Sequence, residues 1–311
     1  MTNRGGESVK EQKFNHRILL LSDPHYMPNE SVAEYKELYP DSNPCGAIGD
    51  ALGYTQTEKM KIILDDIQGF AKKNPVEAVL VLGDLSTDDC GYRRMAENYV
   101  QKFKDEVMLE FPCVSYALPG NHDSHSNDIW HEVFGYNRQH SVKIGDSAFV
   151  LLDSYGAGDK TSAAGAPYTG VDEEWLEREL KKYPTERIFI CSHYFSPNEL
   201  NDKFEKLMRR NDRIVCCFQG HTHRNEIHYW EKWDEKPLID LGGYAYQGEL
   251  VDGKWRFDRF DEAWAWGFGV LEWNDTEAHY YHIKNSRKYV GRNGCFDYAG
   301  ALENEITINF K

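Results

Sequence analysis

Short apolar, β-rich runs punctuate this chain at Arg17–Ser22, Ala78–Leu82, Cys113–Leu118, Ala148–Asp153, Arg187–Ser192, Arg213–Gln219 and Leu238–Leu241. Helix-like segments separate several of them. Residues 57–73 place Met60, Ile63, Leu64, Ile67 and Ala71 on one face at helical spacing. Thr55 followed by Glu58 reads as a capping box at its start. Residues 92–109, 172–182 and 199–210 are further helix candidates. Strand–helix alternation of this kind confines the chain to an α/β layered fold. Its 311 residues are ample for a core that needs no staples.

The polar residues that follow these runs are not random. Leu19–Leu21 is followed by Ser22-Asp23-Pro24-His25, and Val79–Leu82 by Gly83-Asp84. Tyr116–Leu118 is followed by Pro119-Gly120-Asn121-His122-Asp123. Ile188–Ile190 leads to Cys191-Ser192-His193, and Val215–Phe218 to Gln219-Gly220-His221-Thr222-His223. The carboxyl ends of strands in open α/β sheets share one rim, where ligands bind, so these side chains are expected to converge. Asp23, His25, Asp84, Asn121, His193, His221 and His223 form a mixed oxygen and nitrogen set without thiolate. Such a set suits borderline divalent ions such as Mn, Fe or Zn, and is poorer for Ca or Mg. Seven ligands exceed the needs of one ion, whereas a bridging carboxylate could hold two ions about 3.5–4 Å apart. Taken singly, Gly-Asp is a common turn and a lone histidine is an ordinary hydrogen-bonding residue. The ordered recurrence at strand ends is what gives the set its weight.

Charge and cysteine usage narrow the partners. The formal net charge of −15 opposes non-specific nucleic-acid binding, which wants a basic face. It still permits an anionic substrate where metal ions supply local positive charge. Seven irregularly spaced cysteines, with Cys216 and Cys217 adjacent in an apolar run, fit reduced thiols and a cytoplasmic location. The first residues carry no apolar signal core, and no run is long enough to span a membrane. Residues 1–14 are expected to be a flexible arm, with one domain over 15–311. Two stretches change character. Residues 26–56 form a long insertion behind His25, expected to be functional or a lid. Residues 228–311 open with an aromatic-rich stretch and read as a C-terminal embellishment.

With DPH at 23–25, GD at 83–84, GNHD at 120–123, the isolated His193 and GHTH at 220–223, the chain resembles the calcineurin-like metallophosphoesterases. The resemblance implies a four-layer α/β/β/α sandwich of two mixed sheets. It implies that Asp23, His25 and His223 hold one metal, that Asn121, His193 and His221 hold the second, and that Asp84 bridges them. A hydroxide between the ions would attack phosphorus in line. His122 would face the substrate and protonate the leaving group or stabilise the transition state, with Asp123 or another carboxylate orienting it. Many relatives carry a further Asp three positions after the bridging Asp, and purple acid phosphatases a Tyr. Thr87 stands there, with Asp88 and Asp89 beyond. The partner of His122 is therefore open, and no purple iron–phenolate colour is expected.

Loops over the metals set the substrate in this fold. Tyr26, Tyr35, Tyr39, Cys45 and Tyr54 are candidates to overhang the site or to pack the insertion onto the body, and packing is the favoured reading. Arg93 and Arg94 either meet a phosphate or, more simply, face solvent. The expected function is phosphodiester hydrolysis on a small diester or nucleotide. The alternatives are a phosphomonoesterase or phosphoprotein phosphatase, a DNA nuclease, and a non-catalytic scaffold of the same fold.

Overall fold

A computed structural model describes residues 14–30, 56–86, 99–123, 125–156, 166–196, 198–244, 249–251, 254–256, 267–284, 289–291, 294–296 and 302–310. The strands are β1 (His16–Leu21), β2 (Ala78–Leu82), β3 (Val114–Leu118), β4 (His140–Ile144), β5 (Ser147–Leu152), β6 (Arg187–Ser192), β7 (Ile214–Gln219), β8 (Asn225–Tyr229), β9 (Pro237–Leu241), β10 (Glu249–Val251), β11 (Lys254–Arg256), β12 (Gly267–Trp273), β13 (Glu277–Lys284), β14 (Tyr289–Gly291), β15 (Gly294–Phe296) and β16 (Leu302–Asn309). The helices are α1 (Gln56–Ala71), α2 (Tyr99–Glu106), α3 (Asn127–Phe134), α4 (Glu173–Leu180) and α5 (Asp202–Arg210).

Two six-stranded mixed sheets carry the structure, in the orders β16-β13-β12-β1-β2-β3 and β4-β5-β6-β7-β9-β8. β1, β2 and β3 run parallel, as do β5, β6, β7 and β9. β10 and β11, and β14 and β15, form two separate two-stranded ribbons. Parallel strands are covered on both faces and read as unbroken apolar runs. β2, AVLVL, is buried at every position. Alternate residues divide between two cores. Ile18, Leu20, Leu80 and Leu82 face Phe149, Phe189, Phe218 and Trp273 between the sheets. Leu19, Leu21, Val79 and Val81 instead meet Ile63 and Ile67 of α1, Phe103 of α2 and Trp130 of α3. On the far side, Val150, Ile188 and Ile190 pack under Leu176 of α4 and Phe204 and Met208 of α5. The layers are thus α/β/β/α, as the resemblance implies.

Several boundaries differ from expectation. Phe14, assigned to the N-terminal arm, is buried and stacks on His279 at 5.8 Å. Residues 1–13, 31–55 and 87–98 lie outside the described residues, and with them Thr55, Thr87, Asp88, Asp89, Arg93, Arg94, Tyr35, Tyr39, Cys45 and Tyr54. The stretch 228–311 is more than an embellishment: β9 lies inside the second sheet, and β12, β13 and β16 complete the first. Trp233 and Trp273 are fully buried, so these tryptophans pack the interior.

Candidate metal centre

The chain stays paired beyond its strand ends, which positions the side chains that follow. Past β1, Asp23 N–H donates to Gly83 O at 3.2 Å, His25 N–H to Asp84 O at 2.9 Å and Tyr26 N–H to Leu85 O at 3.0 Å. Past β6 and β7, Gly220 N–H donates to His193 O at 3.0 Å. Within this frame Asp23, His25, Asp84, His221 and His223 all take left-handed backbone angles, with φ between 44° and 65°. Such residues cost about 1–3 kcal/mol each and gather at functional sites. Asp and His are among the types best suited to that region, which keeps the cost near the lower end. Gly83 and Gly120 allow the loops to close: a Cβ at Gly83 would strike the His193 ring, and one at Gly120 the Asp84 carboxylate.

All seven expected ligands converge. Asp23, His25 and His223 offer ligand atoms within 4.8 Å of one another, and so do Asp84, His193 and His221. His223 Nε2 lies 3.2 Å from Asp23 Oδ1 and 3.3 Å from His25 Nε2. His193 Nε2 lies 3.2 Å from Asp84 Oδ2 and 3.1 Å from Asn121 Oδ1, which is 3.0 Å from His221 Nδ1. His25 Nε2 stands 3.7 Å from both Asp23 Oδ1 and Asp84 Oδ2, so Asp84 lies between the two groups. His122 joins the cage, with a ring nitrogen within the same 4.8 Å range of His25 and Asp84.

Second contacts fix these groups. His193 Nδ1–H donates to Leu82 O at 2.8 Å, which turns Nε2 toward the cage. Asp23 Oδ2 accepts from Ser22 Oγ at 2.5 Å and His221 N–H at 3.0 Å. The Asp123 carboxylate accepts from three backbone groups and a hydroxyl: Oδ2 from Gly120 N–H at 2.9 Å and Leu85 N–H at 3.1 Å, and Oδ1 from Ser86 N–H at 3.2 Å and Ser86 Oγ at 3.5 Å. Asp123 therefore ties the β3 loop to the β2 loop.

The electrostatics fit cations. Asp23 Oδ1 is buried and accepts no hydrogen bond. Burial alone would raise the Asp23 carboxyl, but His223 and His193 outweigh it and hold it at about 2. Asp84 is likewise held well below the usual carboxylate range, burial being outweighed by His193 and His122. Burial pushes His25 down, and burial with the His193 charge lowers His221 to about 4. A buried pair of ionised carboxylates ringed by imidazoles, with one carboxylate oxygen unsatisfied, calls for positive charge in the middle.

Two features of the rim were not anticipated from the sequence. Tyr155 and Tyr194 place their rings 5.9 Å and 4.7 Å from His221, and Tyr168 lies against both tyrosines at 5.7 Å and 5.9 Å. Arg138 is buried and makes a two-point contact with Asp153, Nε–Oδ2 at 2.7 Å and Nη2–Oδ1 at 3.2 Å. Its remaining N–H groups donate to Asp123 O, His125 O and Gly156 O at 2.7–2.9 Å. Tyr26 packs onto the body, as the favoured reading has it: it is buried, hydrogen-bonded to Glu106 and packed beside Phe103.

Two facing mixed sheets with an Asp/His/Asn cage at one rim define the class of dinuclear metal-dependent phosphoester hydrolases. The family model for calcineurin-like phosphoesterases matches residues 16–225, and the chain belongs to that family. It is accordingly a hydrolase of phosphoester bonds. In fold it is similar to a dimetal phosphatase from Danio rerio (TM-score 0.60, 14% identity, covering 96% of this chain and 100% of that one). It is also similar to the purple acid phosphatase PPD1 from yellow lupin, Lupinus luteus (0.54, 13%, covering 94% and 53%). A third similar structure is GAP50, the anchor in the inner membrane complex of Plasmodium (0.52, 13%, covering 96% and 90%). No curated protein matches the chain in sequence. Among the described residues, no helix is long and apolar enough to cross a membrane.

Proposed function

We propose that this hydrolase cleaves a small phosphodiester, such as a nucleotide diester, using two divalent ions of the Mn, Fe or Zn type. Asp23, His25 and His223 would hold one ion, Asn121, His193 and His221 the other, and Asp84 both. The observation that carries this is the pair of three-ligand groups flanking Asp84, with the unsatisfied Asp23 Oδ1 inside. When bound, such a pair supplies activated water at neutral pH and offsets charge on the phosphoryl oxygens.

The chain's own residues do the rest. The Leu82 carbonyl holds His193 in one tautomer, and Ser22 with the His221 N–H holds Asp23. His122, whose ring reaches the cage, would give a proton to the departing alkoxide, and Asp123 would act by holding the His122 loop. The half-buried Tyr194 beside His221 supports a diester, because its ring offers a face to the organic group that a monoester lacks. The free thiols of Cys191, Cys216 and Cys217, buried in neighbouring strands, support a reducing, cytoplasmic setting. The acidic net charge supports a small substrate over nucleic acid.

A panel assay tests the reading: a bis-aryl phosphodiester, an aryl phosphomonoester, cyclic nucleotides and single-stranded DNA, each with Mn, Zn, Ni or Mg. The diester is expected to lead the monoester in kcat/KM by at least about tenfold, a margin of about 1.4 kcal/mol in the barrier. A monoester that leads, or salt-dependent turnover of DNA, overturns it.

A further inference from the structure

A second group of ligand-type side chains lies outside the cage, on the edge pair β8–β9. Glu226 stands directly opposite Asp240 in the antiparallel register, and His228 is two residues along on the same face. Ile227 and Ile239, on the other face, belong to the core between the sheets, so this trio lies on the outer side. Two carboxylates directly opposite across a strand pair repel, and Asp240 is buried. The arrangement needs a cation between them. His228 Nε2 stands 3.5 Å from Glu226 Oε2 and 3.5 Å from Asp240 Oδ2.

Those distances separate two ways of meeting the need. A charge-assisted hydrogen bond from an imidazolium closes to about 2.7–2.9 Å. Ligands held at about 2.1 Å around a tetrahedral ion stand about 3.4 Å apart. The observed spacing matches the second. All three ligand atoms lie within 4.8 Å of one another. Asp240 is already oriented: Oδ1 accepts from Gln219 Nε2, and Oδ2 accepts from Thr222 Oγ1 at 2.9 Å while keeping a lone pair free. The other oxygen of Glu226 faces Arg224 at 3.9 Å.

We infer that Glu226, His228 and Asp240 form a third divalent-cation site, distinct from the catalytic pair, with a fourth position open to solvent. One imidazole and two carboxylates suit Zn or a similar borderline ion better than Ca or Mg. Through Asp240 and Thr222 this ion would stiffen the loop that carries His221 and His223.

Zinc content of the desalted full-length chain, measured by elemental analysis after equilibration with micromolar Zn(II), tests the inference. The wild type is expected to hold one equivalent more than His228→Ala. The same difference is expected when Asp23→Asn and Asp84→Asn are present in both proteins, which separates this site from the cage. Glu226→Gln, a near-isosteric change, provides a second comparison and is expected to lose the same equivalent. Equal zinc content in the wild type and both single variants overturns the inference, and leaves an imidazolium as the cation between the carboxylates.

Discussion

His122 donates its backbone N–H to Asp84 Oδ1 at 2.8 Å, so its ring is held in fixed register with the central carboxylate. The ring reaches the cage, yet the two groups flanking Asp84 are complete without it. Removing it should therefore spare metal binding and remove proton transfer. His122→Ala is expected to keep its full metal content and lose about 10²–10⁴-fold in kcat on a bis-aryl diester, the usual worth of a placed acid. Unchanged turnover with metal still bound contradicts the assignment. The same scale shows why one sequence signature has two outcomes. Asp84 and Asp153 each follow an apolar run at the same rim, but Asp84 is ringed by imidazoles and Asp153 gives both oxygens to Arg138. What separates them in the fold is the partner, which arrives from elsewhere in the chain.

At the scale of elements, Arg138 joins the loop after β3 to the loop after β5. Its side chain is 3% exposed and that of Asp153 10%, so the pair is desolvated. Breaking one side of such a pair leaves an uncompensated buried charge. Arg138→Leu is expected to lose about 3–5 kcal/mol in denaturant unfolding. A loss below about 1 kcal/mol would place the pair in the class of surface ion pairs and contradict the clamp. β4 supplies a pH-dependent term. His140 is largely buried against Tyr136, ring centroids 4.1 Å apart, and burial lowers it to about 4. Between pH 6.5 and 4 the unfolded chain binds the His140 proton and the folded chain does not, so folding stability falls as pH drops through that window. By linkage the loss reaches at most about 3 kcal/mol. His140→Gln is expected to flatten this part of the stability–pH curve; an unchanged slope contradicts it.

Elements differed in how clearly they could be read. The parallel strands β1, β2, β6 and β7 announce themselves as apolar runs because both faces are buried. β13 does not: its inward positions include His282 and Lys284 alongside Ala278 and Tyr280, which blunts the alternation. β16, LENEITIN, is an edge strand with a polar face. Helix α3 carries legible punctuation: Ser126 caps its start by accepting from Ile129 N–H, and Gly135 ends it in the left-handed region.

Across the whole molecule, the cage draws on both sheets. Asp23, His25, Asp84, Asn121 and His122 come from the first, and His193, His221 and His223 from the second. Side-chain-to-backbone contacts such as His193 Nδ1–H to Leu82 O stitch the two rims together. This is why the candidate ligands were legible in the sequence: parallel strands deliver their carboxyl ends to one rim, whatever the distance along the chain. The tyrosine wall and the Arg138 clamp were not legible, because they depend on where loops fold back. The most direct test of the two-ion centre is anomalous scattering from crystals grown with Mn(II). Two peaks are expected inside the cage, about 3.5–4 Å apart with the Asp84 carboxylate touching both. A single peak there, or a cage with none while these seven side chains keep their places, would contradict it.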